Sequence, residues 1–162
     1  MNSNNNENIN IVVIYYSVSG HTRAVARTIQ KYTGGEIKEI EIIKPYSFVG
    51  SVTRGLVDTF RKKLPELKGQ IDLSPYDIIY LGGSTWGYDV NPILKSFLKQ
   101  YDLTGKTVIP FCSDQGGPGK FFEEFSTLCI GADVKIGHEF IYPKQKSESE
   151  LDSEVETWLK NL

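Results

Sequence analysis

Cysteine is scarce in this sequence. Cys112 and Cys129 are the only cysteines among 162 residues, and no CxxC pair is present. Two isolated thiols predict neither a disulfide framework nor a zinc site. We therefore expect both thiols to be reduced and buried, as is usual for free cysteines of cytoplasmic proteins.

Long apolar runs are also missing. The run at residues 9–16 is far shorter than the roughly 20 residues of a membrane span. No other apolar stretch is long enough to span a membrane either. The asparagine-rich residues 1–8 have none of the features of a signal peptide and predict a disordered tail. We expect a cytoplasmic protein with no membrane segment.

Charge of one sign is not in excess. The chain has 18 basic and 20 acidic residues, and its formal net charge is −2. Nucleic-acid binding needs a basic face, so we expect no nucleic-acid partner. His21 and His138, the only histidines, lie far apart in the sequence, and a metal site is not predicted.

Strand and helix patterns alternate along the chain. Runs of β-branched and aromatic residues predict strands at residues 9–16, 36–43, 76–81, 106–112 and 134–141. Apolar residues at helical spacing predict helices at residues 20–32, 51–64, 92–101, 120–130 and 147–162. Such alternation predicts one α/β domain, residues 9–162, in which helices cover both faces of a parallel sheet.

Three loops should lie at the carboxyl edge of that sheet, where α/β proteins bind their ligands. They span residues 17–22, 82–91 and 113–119, and all are rich in glycine, small hydroxyl residues or aromatic residues. We take these loops as the candidate site.

The first loop has the composition of an anion site. Ser17, Ser19 and Thr22 carry hydroxyls, and Gly20 permits a tight turn into a helix whose N–H groups converge. A phosphate could bind there, but an ordinary helix N-cap formed by one of the serines is the alternative. The motifs GxxxxGK[ST] and GxGxxG are absent, which excludes a P-loop and the dinucleotide fingerprint.

The other two loops could hold a flat ring. Trp86 and Tyr88 are costly to expose, and a planar aromatic ligand would cover them by stacking. The alternative is that both rings cap the core or a partner surface. Free N–H and carbonyl groups near Gly116 and Gly117 could bond the edge of such a ring, or this loop could be a flexible turn.

The three loops together resemble those of the flavodoxin-like family of FMN proteins. SVSGHT (17–22) is similar to the family's phosphate loop, T/S-x-T/S-G-x-T. YDIIYLGGSTWGYDVNPILKSFL (76–98) resembles the strand, first flavin loop and following helix of short bacterial members. GKTVIPFCSDQGGPGKFFEEF (105–125) resembles their fourth strand and second flavin loop, so the resemblance covers nearly the whole chain from Ile9.

The resemblance implies a flavodoxin-like three-layer sandwich with a five-stranded parallel sheet in the order 2-1-3-4-5 and FMN as cofactor. By position, the phosphate would be held by Ser17, Val18, Ser19, Gly20, His21 and Thr22. One side of the isoalloxazine would be lined by Ser84, Thr85, Trp86, Gly87 and Tyr88. The other side would be lined by Ser113, Asp114, Gln115, Gly116 and Gly117.

Several features depart from the family pattern. Ser84 stands where many relatives have proline, so the first flavin loop could take another path. Residues 48–63 match poorly and could form a lid or a partner surface.

We also hypothesise that the Trp86–Gly87 peptide turns over on reduction, since Gly87 tolerates either sign of φ.

The two histidines are interpreted differently. His21 could contact the phosphate or the flavin edge, or it could be an ordinary surface residue of the first helix. His138 lies within the fifth predicted strand, away from the loops, and is interpreted as structural.

Three functions are consistent with the sequence. The first is electron transfer between redox partner proteins or small electron acceptors. The second is an NAD(P)H-dependent quinone or FMN reductase on the same fold, and the third is a scaffold that has lost its cofactor and binds a protein. The oligomeric state is left open.

Overall fold

The apolar runs form a parallel sheet in the computed structural model, which describes residues 9–45 and 64–162. Six strands form the parallel ladder: β1 (Ile11–Tyr15), β2 (Glu36–Glu39), β3 (Ile78–Trp86), β5 (Thr107–Asp114), β6 (Asp133–Val134) and β7 (His138–Ile141). The order is β2-β1-β3-β5, with β6 and β7 both paired to β5. The predicted order 2-1-3-4-5 is therefore confirmed, with the predicted fifth strand divided into two pieces.

Four α-helices are described, and we number them in chain order. They are α1 (His21–Thr33), α2 (Pro92–Gln100), α3 (Phe121–Leu128) and α4 (Glu148–Lys160), and a 3₁₀ turn spans Pro143–Gln145. Their bounds lie within two residues of the predicted ones. In the described ranges, no helix combines the length and hydropathy needed to cross a bilayer.

Some predicted features lie outside the described residues. The predicted tail at residues 1–8 is one of them, and most of the predicted helix at residues 51–64 is another. The interpretation of residues 48–63 as a lid or partner surface therefore stays a prediction.

The sheet separates two hydrophobic cores, because successive side chains of a strand point to opposite faces. In β1, Val12 and Ile14 belong to one core, which also contains buried residues of α2 and α3. Val13 and Tyr15 belong to the other core, which contains buried residues of α1 and α4. This confirms the predicted three-layer arrangement with helices on both faces.

The predicted fifth strand is interrupted opposite Pro110. The carbonyl of Val108 accepts from the N–H of Lys135, which lies between β6 and β7. The backbone groups of alternate residues of β5 point to the same side, so those of Pro110 also face β6 and β7. Proline has no N–H to donate to the ladder. At Gly137 an added Cβ would lie 2.5 Å from the Pro110 carbonyl oxygen, and regular pairing resumes only at His138.

Strand β3 is longer than predicted, since it continues through Gly82 and Gly83 to Trp86. Both glycines allow close approach of neighbouring groups. An added Cβ at Gly82 would lie 2.4 Å from the Phe111 ring, and one at Gly83 would lie 2.5 Å from Nδ2 of Asn91. The extension lets β3 turn back into a short antiparallel strand, β4 (Asp89–Val90).

Asn91 joins this turn to α2. Its buried Oδ1 accepts from the N–H groups of Ile93 (3.1 Å) and Leu94 (2.9 Å), and its Nδ2 donates to the Ser84 carbonyl (2.8 Å). One side chain thus caps the helix and fixes the end of β3.

We expect Asn91→Ala to lower the free energy of unfolding by about 2–3 kcal/mol, because it leaves buried donors and a carbonyl unpaired. Ser147→Ala is the matched control, since Ser147 caps α4 in a solvent-exposed capping box and its loss should cost about 1 kcal/mol. Urea unfolding measures both. Equal losses for the two variants would contradict a special role for Asn91.

Candidate functional site

A cavity of about 500 Å³ opens at the carboxyl ends of β1, β3 and β5. All three predicted loops contribute to its wall, and a residue from beyond β7 completes it. The lining residues are Ser19, His21, Ser84, Thr85, Trp86, Gly87, Tyr88, Ser113, Asp114, Gln115, Gly116, Gly117 and Tyr142. The remaining predicted residues, Ser17, Val18, Gly20 and Thr22, belong to the phosphate loop without forming part of this wall.

The phosphate loop leaves a helix N-terminus uncapped. Ser17 Oγ accepts from the N–H of Gly20 (3.1 Å), and Gly20 adopts a left-handed φ of 88° as the N-cap of α1. The first-turn N–H groups have no intrahelical partner, and no side chain of the described residues caps them. An anion placed there would receive their hydrogen bonds. The alternative of an ordinary serine N-cap is therefore wrong.

The remaining members of this loop hold it in place. Val18 packs against the first hydrophobic core. Thr22 Oγ1 and Ser113 Oγ lie 2.8 Å apart, and both residues are buried. This hydroxyl pair joins the phosphate loop to the end of β5, and one of the two hydroxyl hydrogens remains available to another acceptor.

The first flavin loop is a tight hairpin. Trp86 pairs with Asp89, and the two residues between them, Gly87 and Tyr88, both have a φ of 62°, as a type I′ turn requires. The turning over of the Trp86–Gly87 peptide on reduction stays a prediction.

The two aromatic residues of this loop differ in exposure. Trp86 is 8% exposed, belongs to the first core, and donates from Nε1 to Ser84 Oγ (2.9 Å), and it also lines the cavity. Tyr88 is 64% exposed. Trp86 thus matches the alternative of a core cap, and Tyr88 is the ring available for stacking.

Ser84 shows the path of this loop. It remains in β3, where it pairs in parallel register with Ser113 of β5. Its carbonyl and hydroxyl are both used internally, by Asn91 and Trp86. The first flavin loop therefore leaves the sheet only after Trp86.

The second flavin loop is organised by Asp114. Its Oδ1 accepts from the N–H groups of Gly116 (3.2 Å) and Gly117 (2.8 Å). The N–H groups of these two glycines are therefore not free, because the neighbouring carboxylate accepts from both. Bonding of a ring edge by other groups of this loop stays a prediction. Gln115 is exposed and lines the cavity.

Residues 142–145, which we call the 142–145 turn, also contribute to the site, and the sequence patterns did not predict this. Tyr142 lines the cavity, has a left-handed φ of 47°, and donates its N–H to the Asp114 carbonyl (3.0 Å). Lys144 donates from its backbone N–H to His21 Nδ1 (3.4 Å) and from Nζ to the Ser19 carbonyl (2.9 Å). The only sequence signal was that the fifth predicted strand also ends at this edge of the sheet.

His21 lies between the phosphate loop and the 142–145 turn. Because Nδ1 accepts from a backbone N–H, the ring proton of the neutral form is on Nε2. Partial burial and the nearby charge of Lys144 lower the pKa of His21 from its usual 6.5. The ring lines the cavity, and its contact with a ligand stays a prediction.

The remaining titratable residues singled out in the sequence lie elsewhere. His138 contacts Glu154 (Nε2 to Oε1, 3.2 Å) and stacks on Trp158, which agrees with a structural role. Cys112 and Cys129 are both free and buried, as predicted. Burial raises the pKa of the Cys129 thiol to about 12, and that of Cys112 is also raised.

The fold is that of an α/β protein whose candidate site is a cavity at the carboxyl edge of its parallel sheet, where such proteins bind their ligands. The chain belongs to the flavodoxin family, since the family model described as Flavodoxin matches residues 10–161. A comparison with curated proteins gives no match. The family match confirms the resemblance seen in the sequence and supports FMN as the cofactor.

Solved structures share the fold. A Bacteroides uniformis protein provisionally named a flavoprotein is 24% identical, with 91% of this chain and 98% of that chain covered and a TM-score of 0.80. A flavoprotein from Lactobacillus acidophilus, in complex with FMN, is 23% identical (93% and 98% covered, TM-score 0.72). Oxidised flavodoxin 2 from Bacillus cereus is 20% identical (94% and 99% covered, TM-score 0.58).

The residues present fit FMN. The uncapped N–H groups of α1 suit its phosphate, the exposed Tyr88 ring suits its isoalloxazine, and the cavity volume lies in the range of small-molecule sites.

We expect the pKa of His21 in the ligand-free protein to lie below 6.5 and to rise in Lys144→Met, because the substitution removes a neighbouring positive charge. NMR titration of the imidazole signals measures both values, with the ring signals of His138 as an internal reference. An unchanged or lower pKa of His21 in the variant would contradict the placement of Lys144 beside this ring.

Proposed function

We propose that this chain binds FMN in the cavity and transfers electrons between redox partner proteins or small electron acceptors. The observation that carries the proposal is the convergence of three separate loops on one cavity, with a helix N-terminus at one end and an exposed tyrosine ring at the other. FMN, when bound, supplies the redox chemistry, and the protein binds, orients and tunes it.

The phosphate end of the site uses hydrogen bonds from α1 and its loop. The first-turn N–H groups of α1 lie at the N-terminus of the helix, which is the positive end of the helix dipole. Ser17 accepts from Gly20 and keeps its own hydroxyl hydrogen, and Ser19 is exposed and lines the cavity. These groups would bind the phosphate without a covalent or metal-mediated contact.

The ring end of the site is bounded by the two flavin loops. The hairpin with Trp86, Gly87 and Tyr88 forms one wall, and residues 113–117 form the other. Lys120 donates its N–H to the Tyr88 carbonyl (2.9 Å), so the helix after the second flavin loop holds the hairpin of the first. The two walls are thereby fixed relative to one another before a ring enters.

Two observations favour electron transfer over a reaction that needs proton transfer to a second substrate. Among the described lining residues, His21 is the only one with an imidazole and Asp114 is the only one with a carboxylate. The Asp114 carboxylate already accepts from two backbone N–H groups. Gly87, Tyr88, Gln115 and Gly116 are exposed around the mouth, where a partner could reach the ring edge.

The unpaired buried cysteines agree with the proposed cytoplasmic location.

Titration of the purified protein with FMN, followed by flavin fluorescence and the visible spectrum, tests cofactor binding. We expect one FMN per chain and quenched fluorescence. Steady-state NADPH oxidation with a quinone acceptor then tests the role. Negligible turnover favours electron transfer, and turnover of many equivalents would favour the reductase, while a protein indifferent to FMN would favour the scaffold.

We expect Gly119→Ala to weaken FMN binding about tenfold, the equivalent of about 1.4 kcal/mol. An added Cβ at Gly119 would lie 2.3 Å from the Tyr88 carbonyl oxygen, so the hairpin that forms one wall must shift. Gly105→Ala is the matched control, because Gly105 also has a left-handed φ but its Cβ would meet nothing within 4 Å. Fluorescence titration measures both affinities, and equal effects would contradict the role given to the hairpin.

A further inference from the structure

The 142–145 turn brings a lysine onto the phosphate loop. Nζ of Lys144 donates to the Ser19 carbonyl at 2.9 Å. Its Cδ and Nζ each lie 3.7 Å from the position that a Cβ on Gly20 would occupy. The ammonium group therefore lies beside the N-cap of α1, although more than a hundred residues separate it from this loop in the sequence.

The charge of Lys144 has no carboxylate partner among residues 9–45 and 64–162. Nearby cations are used differently. Arg23, the arginine next to the loop in the sequence, pairs with Glu39 at 2.7 Å. Lys146, two positions after Lys144, pairs with Glu154.

Lys144 is exposed to solvent, and in the absence of an anion this position disfavours its charge only modestly. The N-terminus of a helix carries the positive end of its dipole, and a lysine is disfavoured there. The first-turn N–H groups of α1 are also uncapped by any described side chain. An anion bound between the ammonium group and these N–H groups would satisfy both.

We infer that Lys144 is a phosphate-recognition residue, which balances the charge of the FMN phosphate and makes the site select FMN over riboflavin. The inference rests on the proposed function. It goes beyond the hydroxyl and N–H groups of the loop itself, because it assigns the charge to a side chain that follows β7. Riboflavin has the same ring and lacks the phosphate, so the two ligands separate this role from ring binding.

A purely structural role makes a different prediction. If Lys144 only holds the Ser19 carbonyl, its loss should weaken FMN binding without changing the salt dependence of that binding, because the ammonium group then makes no ion pair with the phosphate. If it recognises the phosphate, its loss should weaken FMN alone and should also reduce the salt dependence of FMN binding, because an exposed ion pair is screened by salt.

The test is fluorescence titration of the apoprotein with FMN and with riboflavin at low and high ionic strength. The proteins compared are wild type, Lys144→Met, Lys144→Arg and the control Lys99→Met. Lys99 is exposed in the last turn of α2, so its substitution changes net charge equally, away from the cavity.

We expect Lys144→Met to weaken FMN binding about tenfold at low salt, the effect of losing one hydrogen bond to a charged group. Its riboflavin affinity and the FMN affinity of Lys99→Met should stay within about twofold of wild type, and Lys144→Arg should retain most of the FMN affinity. If riboflavin binding is too weak to measure, the salt dependence of FMN binding decides, and it should be smaller in Lys144→Met than in wild type.

Unchanged FMN affinity in Lys144→Met would overturn the inference. A loss of FMN affinity with unchanged salt dependence, or an equal loss for both ligands, would also overturn it. Failure of the wild-type protein to bind FMN would instead overturn the proposed function on which the inference rests.

Discussion

Parallel pairing of β1, β3 and β5 determines where the site lies. Tyr15 pairs with Gly82, and Gly82 pairs with Phe111, so the three central strands end at one edge of the sheet. The loops that follow must meet there, whatever their sequences. The hydroxyl pair of Thr22 and Ser113 then fixes the first loop to the third, inside the protein, and sets the distance between the phosphate end and the ring end of the cavity.

Much of the fold could be predicted because its signals are local. Buried parallel strands appear as continuous apolar runs, and three of the four described helices agree with a cap or terminal residue visible in the sequence, such as Asn91 before Pro92. The strand predicted at residues 36–43 ends earlier, at Glu39. Two other boundaries were missed because they depend on neighbours. Gly82 and Gly83 indicate a loop in the sequence, but they are strand residues that leave room for the Phe111 ring and for Asn91. Pro110 belongs to β5, yet the strand that it interrupts is the neighbouring one, which is divided into β6 and β7.

The candidate site was predictable to a similar degree. Its loop residues follow from strand order and composition, and the family resemblance assigns a ligand to them. Sequence could not show that Asp114 uses its carboxylate on the N–H groups of Gly116 and Gly117, or that Trp86 is mostly buried while Tyr88 is not. Lys144 was invisible for a stronger reason, since only the three-dimensional path after β7 brings it to Ser19.

The most direct measurement of the central claim is a crystal structure of the protein with FMN. We predict that the phosphate accepts hydrogen bonds from the first-turn N–H groups of α1, with the isoalloxazine between the Trp86–Tyr88 hairpin and residues 113–117. A complex in which FMN binds elsewhere, or in which its phosphate does not contact the N-terminus of α1, would contradict the account.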